Sequence, residues 1–189
     1  DQEIRHEIFN NTLSIFNFSK KNKIKKFIYL SSIGVLGDHT TALPFNENSE
    51  YNPKNKYSYY KMEVEKYLKK LFNENSIKIY ILRPPLVYGN NTKGNFNSLI
   101  NLLKLRVPLP LGRFIHKRDM IYVENLSSFI TYLINTHDKY IIPNIFNITD
   151  GSSFSIVDLI NTINKSTFYK IRLFSIPQTL IKFILIILN

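Results

Sequence analysis

Two stretches decide the fold: Phe27-Ile28-Tyr29-Leu30-Ser31-Ser32, and Ile77-Lys78-Ile79-Tyr80-Ile81-Leu82-Arg83-Pro84-Pro85. Each is a short apolar run, rich in aromatic and β-branched residues, that stops at hydroxyls or prolines. This is the pattern of a buried strand. Between them a polar loop rich in Asn, Glu and Pro runs to about Lys54, and Lys56 to Phe72 repeats apolar residues at helical spacing. Working outward, Ile8, Phe9, Leu13 and Phe16 predict a helix from Ile4 to about Ser19. Downstream come a helix over Asn95 to Leu105, a strand over Met120 to Val123, a helix over Glu124 to Asn135, a strand over Ile145 to Ile148 and a helix over Ile156 to Asn164. Strands alternating with crossover-length helices predict the α/β class, a doubly wound parallel sheet covered on both faces. Ligands of such sheets bind at the carboxyl ends of the strands, where Ser31-Ser32 and Arg83-Pro84-Pro85 stand.

The bulk properties exclude several classes. The 189 residues, 44% hydrophobic, can bury one full core, or one core and a small lobe. There is no cysteine, hence no disulfide framework or thiolate metal site, and His6, His39, His116 and His137 lack metal-ligand spacing, so no metal is expected. The net charge of +11 would draw the chain toward anions. Its densest basic run, Lys20, Lys21, Lys23, Lys25 and Lys26, reads as a solvated helix end in a chain biased toward Lys, Asn and Ile. No nucleic-acid motif accompanies it, and no nucleic-acid partner is expected. The first residues lack the layout of a signal peptide. The apolar run Phe183 to Leu188 is far short of the roughly 20 residues that span a bilayer, so no membrane span is expected.

Tyr57 and Lys61 are four residues apart and share one face of the predicted helix. An ammonium beside a phenol favours the phenolate, so the pair is expected to lower the Tyr57 pKa and exchange a proton with a hydroxyl. The spacing alone is weak in a chain with twelve tyrosines, and an exposed Tyr beside an extended Lys is the ordinary alternative. The upstream strand ending in Ser31-Ser32 strengthens it, because a hydroxyl there can share the proton.

The segments Ser31-Ser32-Ile33-Gly34-Val35-Leu36-Gly37, Tyr57-Ser58-Tyr59-Tyr60-Lys61 and Leu82-Arg83-Pro84-Pro85-Leu86-Val87-Tyr88-Gly89 follow one another in order and spacing. Together they resemble the SSxxVYG, YxxxK and LRPxxVYG segments of the extended short-chain dehydrogenases/reductases, the group of nucleotide-sugar epimerases and dehydratases. The resemblance runs from about Ile4 to about Asn164. It implies a Rossmann-type NAD-binding domain whose rear half occupies residues 1–90. It also implies a small C-terminal substrate-binding lobe over residues 91–189, interleaved with the last Rossmann elements at about 118–136. By the same resemblance Tyr57 is the acid/base for the sugar 4-hydroxyl, Lys61 tunes it and holds the nicotinamide ribose, and Ser32 shares the proton. Ser31, Pro84, Pro85 and Leu86 contact the cofactor, with Asn95 and Arg118 on the substrate side, where a guanidinium fork suits a diphosphate. Plainer roles stay open: Pro84-Pro85 ending a strand, Asn95 capping a helix, Arg118 pairing with Asp119 at the surface.

Family 4,6-dehydratases carry an Asp-Glu pair where this chain has Ile33-Gly34, so the resemblance favours a UDP-hexose or UDP-N-acetylhexosamine 4-epimerase, cytoplasmic and serving surface polysaccharide synthesis. A dehydrogenase/reductase using the same Ser32, Tyr57 and Lys61 is the alternative enzyme, and a non-catalytic remnant the alternative outside enzymes. Departures are Ser58 and Tyr60 for small Gly and Ser, Leu36 for Tyr, Tyr122 for His, and Ile8 for an Asn, the last suggesting relaxed constraint or a shifted local register. The six glycines form no GxxGxxG turn, the device that seats a pyrophosphate on a helix N-terminus. The chain is therefore expected to be N-terminally truncated and to act as a homodimer or by pairing with a separate N-terminal half.

Overall fold

The computed structural model describes residues 2–40, 43–72, 77–90, 95–137, 144–167 and 170–176. They form two compact units, Asp1–Pro85 with Glu124–Thr149, and Leu86–Val123 with Asp150–Asn189.

The first unit is built on a parallel sheet of β1 (Lys26–Leu30), β2 (Lys78–Arg83) and β5 (Ile145–Asn147), in the order β1-β2-β5. Leu30 lies beside Leu82, and Arg83 beside Asn147. Because side chains alternate across a strand, Tyr29, Ile79 and Ile81 share one face. There they meet Phe16 of α2 (Asn11–Lys21) and Val64 and Leu68 of α3 (Lys56–Lys70) in one buried cluster. The opposite face carries Tyr80 and Phe146, and Phe129 of α5 (Val123–Asn135) packs edge-on against Phe146 with ring centroids 5.2 Å apart. A strand covered on both sides has no polar face, which is why Ile79 to Leu82 form an unbroken apolar run, each at most 1% exposed. The sheet is thus α/β and parallel with helices on both faces, as the alternation predicts.

The first helix departs from expectation in detail. It starts at Gln2 as α1 (Gln2–Arg5), widens into a π turn over His6–Asn10, and continues as α2 to Lys21. A π turn holds one residue more than an α turn and rotates what precedes it. Ile8, the departure noted in the sequence, lies within it and packs with Phe9 against the core cluster.

Lys26 corrects the reading of the basic run as solvated. Its ammonium donates to the carbonyls of Leu133 (2.8 Å), Ile134 (3.0 Å) and Thr136 (2.5 Å) at the carboxyl end of α5. These are carbonyls that a helix cannot satisfy itself, at its negative end. Replacing Lys26 with Met is expected to cost about 2 kcal/mol, read as a shift of the urea midpoint at unchanged slope.

The second unit holds a sheet in the order β3-β4-β6, from β3 (Leu86–Tyr88), β4 (Arg118–Tyr122) and β6 (Ser153–Phe154). β3 and β4 are parallel; β4 and β6 are antiparallel. β3 and β6, of three and two residues, are not among the strands expected from the sequence, and β4 is expected from Met120. The strand begins at Arg118 because Phe154 and Ser153 pair with Arg118 and Asp119. Gly89 leaves β3 at φ +133°, and a Cβ there would lie 2.6 Å from Val123 Cγ1, so only glycine serves. Leu103 of α4 (Asn95–Lys104) and Ile160 of α6 (Ile156–Ser166) form a small core with Leu109 and Ile171. α6 opens on a capping box in which Ser155 and Asp158 satisfy each other's backbone N–H groups, and these hydrogen bonds hold the Asp158 carboxyl below its usual range. Among the described residues no helix is long and apolar enough to cross a membrane. Phe183 to Leu188 lie outside them.

Candidate active site

Asn55 caps α3, its side-chain oxygen accepting from Ser58 N at 2.9 Å, and so fixes where the helix begins. Two residues on is Tyr57, half-exposed at 50%. One turn further Lys61 reaches back: its Nζ donates to Leu30 O at 2.7 Å, 4.8 Å from the Tyr29 ring centroid and 5.6 Å from that of Tyr57. The pair therefore shares a face, as its spacing predicts, and is tied to the carboxyl end of β1.

The electrostatics differ from expectation. Partial burial raises the Tyr57 phenol above its ordinary pKa, because the ammonium of Lys61 sits over the ring and on a carbonyl rather than at the phenol oxygen. Burial also pulls Lys61 below the usual lysine range, opposed by the carboxylate of Glu65. In the protein on its own Tyr57 is thus held in its proton-donating form at neutral pH.

Ser31 and Ser32 leave β1 in sequence. Ser32 is extended, and its Oγ accepts from Gly34 N at 3.2 Å at the start of a 3-10 turn over Ile33–Val35. A Cβ on Gly34 would lie 2.7 Å from Ser58 Oγ and 3.4 Å from Ser32 Oγ. The absence of that carbon lets the turn lie against the first turn of α3. Ser31 is 4% exposed. Its N–H donates to Leu82 O at 2.7 Å, but its hydroxyl, like that of Tyr29, is buried without a partner among the described residues. Pro84 is buried at the end of β2, and its carbonyl accepts from Ile33 N at 3.0 Å.

Glu65 and Arg83 are both 0% exposed; Arg83 is expected from the sequence only as part of the segment that ends its strand, and Glu65 is not expected as a functional residue. Arg83 Nη2 donates to Glu65 Oε2 at 2.6 Å and Nε lies 3.1 Å from both carboxylate oxygens. Tyr51 OH donates to Glu65 Oε2 at 2.7 Å, and Arg83 Nη1 reaches Glu47 O at 3.3 Å. The signal was present: an arginine closing a wholly apolar strand must find an anion, since such charges are buried only when paired.

The remaining expected site residues belong to the second unit. Leu86 opens β3 and Asn95 is the first residue of α4. Gly94 lies outside the described residues. Arg118 opens β4, exposed, and its guanidinium has no partner among the described residues. Asp119 accepts from the Ser153 hydroxyl instead, so the surface pair between neighbours is not formed. Asp150 Oδ2 accepts from Tyr88 OH and from Tyr122 N, both at 2.9 Å.

Residues 2–149 match the model of the NAD dependent epimerase/dehydratase family, and the chain belongs to that family. It is 33% identical over 158 residues to a UDP-glucose 4-epimerase of Vibrio cholerae, covering 81% of this chain and 48% of that protein. Among solved structures, the UDP-glucose 4-epimerase of Thermotoga maritima with UDP-glucose is similar at a TM-score of 0.75 and 21% identity, over 92% of this chain and 58% of the other. The UDP-glucuronic acid 4-epimerase of Bacillus cereus, in complex with UDP-glucuronic acid and NAD, is similar at 0.70 and 26%, over 84% and 52%. The chain spans about half the length of the relatives it matches.

Proposed function

We propose that the chain carries the proton-transfer half of an NAD-dependent nucleotide-sugar 4-epimerase, with a UDP-hexose or UDP-N-acetylhexosamine as substrate. The observation that carries the reading is Lys61, bound by Leu30 O at the mouth of the sheet and lying over the Tyr57 ring, next to Ser31-Ser32. NAD, when bound, supplies the acceptor and donor of the hydride. Tyr57 exchanges the proton of the sugar 4-hydroxyl with help from Ser32, and Arg118 pairs with the diphosphate. The raised pKa of Tyr57 means that its base form requires a cation brought to the phenol oxygen, and Lys61 lies within reach.

The residues present fit the nicotinamide end of the cofactor. The Ser31 hydroxyl, buried without a partner among the described residues, offers a donor and acceptor to a carboxamide or ribose, Lys61 offers an ammonium, and Pro84 and Pro85 offer apolar rings after the end of β2. No glycine-rich turn occurs among the 189 residues for the pyrophosphate. β1 is paired on one edge only among the described residues, which suits a further parallel strand bearing such a turn.

The 189-residue chain alone is therefore expected to bind NAD weakly and to turn nothing over. Combined with a glycine-rich N-terminal half it is expected to interconvert a UDP-sugar with its C4 epimer. Micromolar NAD binding by the chain alone in calorimetry, or an assembled NAD-binding protein that epimerises no UDP-sugar, would overturn the proposal. In the assembled protein, Arg118→Ala is expected to weaken UDP-sugar binding by about 2 kcal/mol and leave NAD binding unchanged. Unchanged affinity for UDP would return Arg118 to an ordinary surface residue.

A further inference from the structure

Lys61 is held by three contacts that each favour its charged form: the Leu30 carbonyl and the faces of the Tyr29 and Tyr57 rings. A neutral amine would donate only a weaker hydrogen bond to the carbonyl and would lose the other two, since attraction to an aromatic face depends on positive charge. Burial works against that charge, and no carboxylate among the described residues bonds Lys61 directly. The opposing field comes from Glu65, one helical turn further along α3. That carboxylate is itself fully buried, fixed by Arg83 from the end of β2 and by Tyr51 from the loop before the helix.

We propose that Glu65 is a positioning residue for Lys61: its buried carboxylate, fixed by Arg83 and Tyr51, supplies the counter-charge that keeps the ammonium seated between Tyr29 and Tyr57. The proposal rests on the reading in which Tyr57 and Lys61 serve proton transfer. Among the described residues the groups against Lys61 are Tyr29 and the Leu30 carbonyl on β1 and Tyr57 on α3; Glu65 lies one turn further along α3, with Arg83 of β2 bonded to it. A buried salt bridge is by itself poor evidence of stabilisation, because its desolvation cost rivals its attraction. An electrostatic task beyond stability gives this one a reason to be ionic. It also explains why Glu65 lies at the same four-residue step from Lys61 as Lys61 does from Tyr57.

The test uses the full 189-residue chain and needs no turnover. Lysine labelled at Cε gives a signal for Lys61, assigned by its loss in Lys61→Met, which two rings displace upfield in the wild type. In Glu65→Gln its titration midpoint is expected to fall by about one unit or more, and the displaced signal to move toward the ordinary lysine position at neutral pH. Removing one partner of a buried pair can unfold the chain, so the double variant Glu65→Gln/Arg83→Met, which strands neither charge, repeats the measurement. Tyr51→Phe, which keeps both charges, is expected to leave Lys61 close to wild type. A folded double variant in which Lys61 keeps its midpoint and its upfield position overturns the inference and leaves the chemistry proposed for Tyr57 standing. Near-normal turnover of an assembled Tyr57→Phe enzyme overturns that chemistry without altering the Lys61 measurement.

Discussion

Replacing Tyr57 with Phe is expected to lower the turnover of the assembled enzyme by about two to four orders of magnitude, the usual worth of a positioned acid/base. The substitution keeps the ring over which Lys61 lies at 5.6 Å and removes only the hydroxyl. That hydroxyl bonds no described residue, and the side chain is 50% exposed, so the thermal midpoint is expected to stay within the spread of ordinary surface substitutions. A loss of kcat and kcat/KM together, with little change in NAD affinity, would identify an interaction used in the transition state. The raised pKa adds a pH dependence. Protonated Tyr57 predominates at neutral pH in the chain alone, so ultraviolet titration of the Phe variant is expected to lack one phenol that ionises above the ordinary tyrosine range. A group whose folded pKa is raised contributes its stability below the unfolded value and loses it as pH rises through the folded one. Any stabilisation from Tyr57 is thus confined to pH below about 10 and fades in the alkaline range.

The largest effect on stability is expected at Arg83. Replacement by Met removes the cation and leaves Glu65 buried with Tyr51 as its remaining hydrogen-bond partner among the described residues, and stranding one charge of a buried pair costs about 3 to 5 kcal/mol. The double variant with Glu65→Gln is expected to recover most of that loss, because the interior then holds no unpaired charge. Urea unfolding of both variants gives the comparison. A loss below about 1 kcal/mol in Arg83→Met would put the pair among solvated surface bridges and contradict its burial. The consequences reach beyond stability, since Arg83 immediately precedes Pro84 and its Nη1 bonds Glu47 O. Glu47 in turn accepts from Asn147 N at 2.9 Å. The Arg83 guanidinium therefore joins the end of β2 to the loop before α3, and the Glu47 carboxylate joins that loop to the end of β5.

Residues such as Ile79 to Leu82 made the parallel sheet legible, because a strand buried on both faces must be apolar throughout, and no helix of that length fits between Ile77 and Pro84. Tyr57 and Lys61 were legible for a similar local reason: a four-residue step on a helix fixes a shared face before any tertiary contact forms. The short strands at Leu86–Tyr88 and Ser153–Phe154 were not, since they hold two or three residues and exist only by pairing with β4.

The sequence by itself determined which residues stand at the carboxyl ends of the strands and that a phenol and an ammonium share one face, for these follow from periodicity and backbone geometry. Only the tertiary structure decided what those groups experience. Lys61 points to the Leu30 carbonyl and the ring faces, so its charge does not lower the Tyr57 pKa as spacing suggested. Lys26, one of five lysines in a basic run, satisfies the end of α5, more than 100 residues away in the chain. Glu65, Arg83 and Tyr51 become one network for the same reason: field and hydrogen bonding depend on distance in space and on the exclusion of water, and neither quantity is written in the order of the residues.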